Sequence, residues 1–156
     1  MTDGNNLREE AYRLSEKMLE MQFAAALSAD QRAMSAAGIT AAAAAILAGL
    51  ASASAIPFAM LSGAMFLVVG AMFAWRAAMP VSFYAPGSSY ENFKEDIEGE
   101  VHYLRVIAEM GGWNDKHIKS NRAVMSLNSK KMKRMYWLTA IGLAVAIAPQ
   151  MYANFI

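Results

Sequence analysis

The chain has two imidazoles, His102 and His117, and each has a carboxylate close by: Glu98 one helical turn before the first, Asp115 just before the second. A metal centre needs three or four converging donors, with spacings such as H-E-x-x-H on one helix face, and neither histidine stands in such a pattern. There is no cysteine, which excludes disulfides, thiolate nucleophiles and cysteine-bound zinc. A nucleophilic serine on a strand-to-helix elbow would read G-x-S-x-G, and none occurs. The pair Gly111-Gly112 lacks the Lys-Ser/Thr that completes a phosphate-binding loop. The expectation is a protein that is not an enzyme, binds no metal and needs no cofactor.

Three polar groups remain as candidate sites. Asn114, Asp115, His117, Asn121 and Arg122 follow the two glycines, and their amide and charged groups would suit a nucleotide or protein signal; a solvated hairpin tip would carry the same residues. Lys130, Lys131, Lys133 and Arg134 would bind anionic lipid or a phosphate group, or serve only to anchor topology. Asp30 and Arg32 precede a long apolar stretch, where burial between helices would lead them to pair with charges such as Arg76. The net charge of +1 gives no overall attraction for nucleic acid.

The elements that must hold these groups are helical and largely apolar. From 33 to 75 there is no Asp, Glu, Lys, Arg or His, which is room for two bilayer crossings of about 20 residues each. The break falls at Ser52-Ala53-Ser54-Ala55-Ile56-Pro57, because small residues lead into a proline suited to the first turn of a new helix. The chain is 56% hydrophobic and only 17% charged, and the charges are excluded from whole segments instead of mixed through them. A third apolar segment runs from Tyr136-Trp137 to the end, with Tyr152 at its far border and Pro149 where a kink costs little. The fold class expected is an all-α membrane protein with three transmembrane helices, a tight hairpin at about 35–54 and 57–78 plus a C-terminal span at 136–156, and a cytosolic helical bundle or hairpin.

Two cytosolic segments complete this plan, residues 1–34 and 79–135. In the first, Leu7, Ala11, Leu14, Met18, Met21 and Ala25 recur in steps of three and four, one side of a helix that continues into the first span. In the second, Pro80 and Phe83-Tyr84-Ala85-Pro86-Gly87 form a connector, and Ser88 with Glu91 reads as a capping box. The helix so begun is expected to stop or bend at Gly111-Gly112, giving a hairpin whose second arm carries the seven-residue, coiled-coil-like stripe of Ile118, Met125 and Met132, with Met135 beyond. The alternative is one long helix through both glycines, preceded by an extended connector.

Packing surfaces are marked by small residues. Ala45, Gly49 and Ala53 lie four apart on the first span and would let another helix approach closely, whether within the chain or in a homo-oligomer. Gly63 and Gly70 are expected to face that first span from the second, whose Phe58, Phe66, Phe73 and Trp75 suit contact with membrane lipids. A pore formed by such helices would be lined by Thr40, Ser52, Ser54 or Ser62, with no charged filter and weak ion selectivity.

The succession of a helix ending in Ala29-Asp30-Gln31-Arg32-Ala33, a glycine-bearing first span, a close second span, Phe83-Tyr84-Ala85-Pro86, an Asn121-bearing helix, Lys130-Lys131 and a last span resembles the small multi-pass membrane effectors of bacterial cyclic-nucleotide anti-phage signalling systems. That resemblance implies an inner-membrane protein that oligomerises and, when a nucleotide or infection signal arrives, disturbs the membrane and stops growth. Asp30 and Arg32 would correspond to the polar pair before the first span in such proteins. The residues by themselves also allow a structural or adaptor membrane protein that recruits a partner through its cytosolic helices.

Orientation follows from the flanking charges. Arg32, Arg76 and the Lys130, Lys131, Lys133, Arg134 group all border the spans on one side, whereas the hairpin turn and the C-terminal tail carry none. The positive-inside rule then puts the N-terminus in the cytoplasm and the C-terminus outside, with no cleaved signal peptide because MTDGNNLREE is polar and acidic. Alkaline phosphatase joined after Ile156 should therefore be active and a green fluorescent protein at the same position dark; the reverse pattern would invert the topology.

Overall fold

The computed structural model describes residues 3–155, with side chains from 6 to 153. Among the described residues the architecture is all-α: α1 (Asp3–Leu50), α2 (Pro57–Ala78), the short α3 (Lys94–Glu98) and α4 (Tyr103–Phe155), with 3-10 turns at Ala51–Ala53 and Tyr90–Phe93. Three helices, α1, α2 and α4, are long and apolar enough to cross a membrane. With 48 and 53 residues, α1 and α4 extend about 72 and 80 Å at 1.5 Å per residue, far more than a hydrocarbon layer of about 30 Å requires.

Local chemistry sets most of the helix ends. The chain leaves α1 through the Ala51–Ala53 turn, Ser54 becomes extended, and its Oγ accepts a hydrogen bond from the Ile56 N–H at 3.1 Å. Pro57 then opens α2 at a position whose N–H would have had no partner. The expected capping box does not form. Ser89 occupies the cap position without a side-chain bond, and the Ser88 Oγ accepts from Asn92 Nδ2 instead.

The largest departure from expectation lies between 99 and 112. The helix runs unbroken through Gly111-Gly112, so the hairpin arrangement is replaced by the single long helix with a connector before it. The stop comes earlier, where Glu100 takes a left-handed φ of 51°. The Val101 N–H donates to the Asp96 carbonyl at 2.9 Å and the Glu100 N–H to that of Ile97 at 3.3 Å, the paired bonds of a helix-terminating Schellman turn. Two glycines cost a helix about 1 kcal/mol each, a deficit that burial of Ile107, Asn114, Ile118 and Asn121 on the same helix offsets.

The described chain forms two compact units. The first comprises residues up to Leu27 together with Val81–Met125; the second comprises Ser28–Pro80 and Ser126–Ile156. In the first, the inward side of α1 is buried Leu19 with half-buried Tyr12, Ser15, Glu16 and Gln22, not the stripe of Leu7, Leu14, Met18 and Met21, which stays exposed. The face is displaced by one residue, about 100° of rotation. Hydrogen bonds from Asn114 to Ser15 and Glu16 select it, because only the displaced face offers α4 those partners.

In the second unit the size pattern of a water-soluble core is reversed. Its interior contains Ala33, Thr40, Ala44, Ala59, Gly63, Ala64, Gly70, Ala74, Ala77 and Ala146, with Leu67 and Met135 as the large members. Phe58, Met65, Trp75, Ile39, Ile46, Trp137 and Ile147 stay exposed. That distribution suits helices surrounded by lipid, where small residues permit close approach and bulky ones meet acyl chains. Thr40 is part of this interior, its Oγ1 directed at Met135 Sδ, so it lines no pore within the protomer.

Gly63 and Gly70 face α4, not α1 as expected. A Cβ on Gly63 would lie 2.6 Å from the Gly142 carbonyl oxygen and 2.7 Å from the Ala146 Cβ, while one on Gly70 would meet Thr139 Oγ1 at 3.4 Å. Ala45, Gly49 and Ala53 are exposed, and a Cβ on Gly49 would have no neighbour within 4 Å. Gly63→Ala should therefore lower stability by about 1–3 kcal/mol through overpacking against backbone, whereas Gly38→Ala, with open space around it, should raise it slightly through helix propensity. Thermal unfolding in detergent, followed by circular dichroism, reads both; equal effects would show that α2 and α4 are not in contact.

Candidate functional site

The polar chemistry of the first unit gathers where α1, α4 and the connector after Pro80 meet. Asn121 is fully buried, and its amide holds the backbone of the connector like a neighbouring strand: Oδ1 accepts from the Tyr84 N–H at 3.0 Å, and Nδ2 donates to the Tyr84 carbonyl at 2.9 Å. One turn earlier on α4, His117 stacks on the Tyr84 ring, centroids 4.0 Å apart and planes within 5°. Phe83 leans on Phe23 of α1 at 6.3 Å. The connector is thus tied by both its main chain and its rings.

Asn114 and Glu16 make the second tie. Asn114, nearly buried, donates through Nδ2 to Ser15 Oγ at 2.9 Å and to Glu16 Oε1 at 2.8 Å, while Glu16 Oε2 accepts the Gly87 N–H at 3.1 Å. Gly87 has a φ of 90°, a conformation that a side chain would strain. Tyr12, a turn before Glu16, has its phenol pushed above the usual tyrosine range, first by burial and then by the negative charge of Glu16.

These ties enclose a cleft of about 520 Å³, walled by Glu16, Tyr84, Phe93, Asp96, Glu109, Trp113, Asn114 and His117 among others. That volume falls within the usual range for small-molecule sites. A second cleft of about 460 Å³ shares Phe93, Asp96, Val106 and Met110 with it and adds Tyr12, Tyr90 and Tyr103.

Of the residues singled out in the sequence, Asn114, His117 and Asn121 are brought together here. Asp115 and Arg122 are exposed and line neither cleft. Glu16, Tyr84, Asp96, Glu109 and Trp113 were not anticipated, since they come from segments separated by tens of residues; the one local signal was the aromatic cluster at Phe83-Tyr84. Among the described residues no group of three His, Asp or Glu side chains could hold a metal ion.

The basic residues serve the second unit. Lys131 Nζ donates to the Arg76 carbonyl and to Asn128 Oδ1, each at 3.0 Å, satisfying a carbonyl in the last turn of α2 where a cation is favoured. Arg134 lies 5.8 Å from the Phe73 ring centroid, and Lys130, Lys133 and Arg76 are exposed. The expected pairing of Asp30 with Arg76 is absent: among the described residues the ion pairs are Arg13–Glu10 and Arg105–Glu109, and Arg32 Nε donates to the Ser28 carbonyl of its own helix.

Comparison with family models, with curated proteins and with solved structures finds no match for this chain.

The Asn121 clamp leads to a direct test. Asn121→Leu leaves the Tyr84 N–H and carbonyl without their partner and should cost about 1–3 kcal/mol of stability, with faster proteolysis in the connector. Arg122→Ala, one residue on and exposed, should change neither; equal protease resistance in the two variants would show that Asn121 does not hold the connector.

Proposed function

We propose that the protein is a non-enzymatic, oligomeric effector of the bacterial inner membrane that perturbs or permeabilises the bilayer when its cytosolic unit receives a nucleotide or protein signal. In this reading the chain crosses the membrane three times, with the N-terminus cytoplasmic, the C-terminus outside and the cleft-bearing unit in the cytosol. The observation that carries it is the sharing of helices. Both α1 and α4 contribute to the unit with the ligand-sized cleft and to the unit with the membrane-type interior. A ligand that altered α1 or α4 in the first unit would alter a helix that the second unit also contains, which is what a signalled membrane response requires.

Oligomerisation is supported by the unoccupied small face of α1. Gly38 and Gly49 have open space beside them, and Ala45 and Ala53 are exposed, so a helix of a second copy has room to approach at backbone distance. One observation favours the alternative of an adaptor. Leu7, Leu14, Met18 and Met21 form an exposed apolar row on the N-terminal part of α1, the sort of surface an amphipathic partner helix would cover.

Expression in a bacterium carrying a membrane-potential dye separates the two. The effector reading expects depolarisation and growth arrest on induction with signal, both abolished by Gly49→Leu together with a smaller oligomer in detergent. A steady potential with a stoichiometric co-purifying partner would replace the effector by the adaptor.

A further inference from the structure

We propose that the larger cleft of the first unit is a binding site for an organic ammonium compound with a flat apolar body. The carboxylates lie in the lining of the cleft, and the nearby cations Arg105 and Lys116 stand behind lining residues, on Glu109 and Trp113. Glu16, Asp96 and Glu109 line the cleft, and among the described residues no Lys or Arg does. Glu16 is held by two neutral donors, Asn114 Nδ2 and the Gly87 N–H, so its charge is ordered but not neutralised. Glu109 is shared with Arg105 at 3.2 Å on the exposed side. Asp96 is half-buried, and among the described residues its carboxylate has neither a hydrogen-bond nor an ion-pair partner. It is the group left open for a cation.

The remaining walls point to an organic cation. Tyr84, Phe93 and Trp113 present aromatic surface, whose negative faces attract ammonium groups while their area accepts an apolar body. Trp113 already makes this contact within the chain, with Lys116 Nζ 4.6 Å from its ring centroid. The adjoining cleft continues the same character, since it shares Phe93 and Asp96, adds Glu100 and again has no Lys or Arg in its lining. A phosphate-bearing ligand entering here would meet three carboxylates and no Lys or Arg in the lining, an arrangement that disfavours anions. The site chemistry therefore differs from that of a nucleotide pocket. Where the effector reading has this cleft receive the signal, the assignment makes that signal an organic cation and not a nucleotide; binding in the cleft and depolarisation of the membrane are read separately, so either can fail without the other.

Titration calorimetry on the full chain in a non-ionic detergent tests it with three probes of one shape: 2-phenylethylammonium chloride, 2-phenylethanol and phenyl phosphate. The ammonium should bind saturably, the alcohol about tenfold or more weakly, as expected for loss of a charge-assisted contact, and the phosphate not at all. Asp96→Asn should weaken the ammonium by about tenfold at an unchanged melting temperature, with Arg122→Ala binding normally. If Asp96→Asn melts early, Trp113→Leu decides instead, since Trp113 is largely exposed and its loss should weaken binding without unfolding. Equal affinity for the alcohol, preference for the phosphate, no saturable heat from folded protein, or full affinity in the deciding variant would each overturn the proposal.

Discussion

The backbones of α2 and α4 touch at Gly63 and Gly142, and the second unit is built on that contact. A Cβ on Gly142 would lie 2.8 Å from the Gly63 carbonyl oxygen and closer still to Leu67 Cδ1. Between helices in lipid there is no hydrophobic gain from hiding one apolar side chain against another, so attraction depends on dense packing at short range. Glycine at both positions makes that range available. Ala146 extends the same close seam, Ala74 and Ala77 are buried farther along α2, and most of the bulky residues are left for the outer surface.

The first unit is held by a different physics. Its apolar core is thin, with Leu19, Ile107 and Ile118 as its buried members, and the specificity comes from side-chain amides. Asn121 and Asn114 each satisfy two partners, in the first case both polar groups of one connector residue. Buried amides of this kind tolerate few alternatives, because a shift of one residue would leave every donor unpaired. They also explain why α1 buries Ser15 and Glu16 in preference to its more hydrophobic neighbouring face.

The cleft of the first unit is tied together by amides and one carboxylate. Glu16 connects α1 to α4 and to the connector at once, and Asp96, Phe93 and Trp113 stand around it. The second unit is held instead by close packing, with an interior mostly of alanine and glycine and with Leu67 and Met135 as its large buried side chains.

The sequence by itself determined the helical class, the three long apolar segments and the start of α2 at Pro57, because charge exclusion and proline act on the chain locally and need no partner to be read. The seven-residue row of Ile118, Met125 and Met132 was also legible, and those residues are turned inward as the period implies. Tertiary structure decided the rest. Which face of α1 is buried depended on the hydrogen-bond partners that α4 presents, and hydrophobicity alone pointed one residue away. Passage of α4 through Gly111-Gly112 depended on packing that outweighs two unfavourable propensities. The partner of Gly63 and Gly70 depended on where Gly142 falls, and the cleft on Glu16, Asp96 and Trp113 meeting from distant segments; proximity of that kind is a property of the folded chain, and no local pattern encodes it.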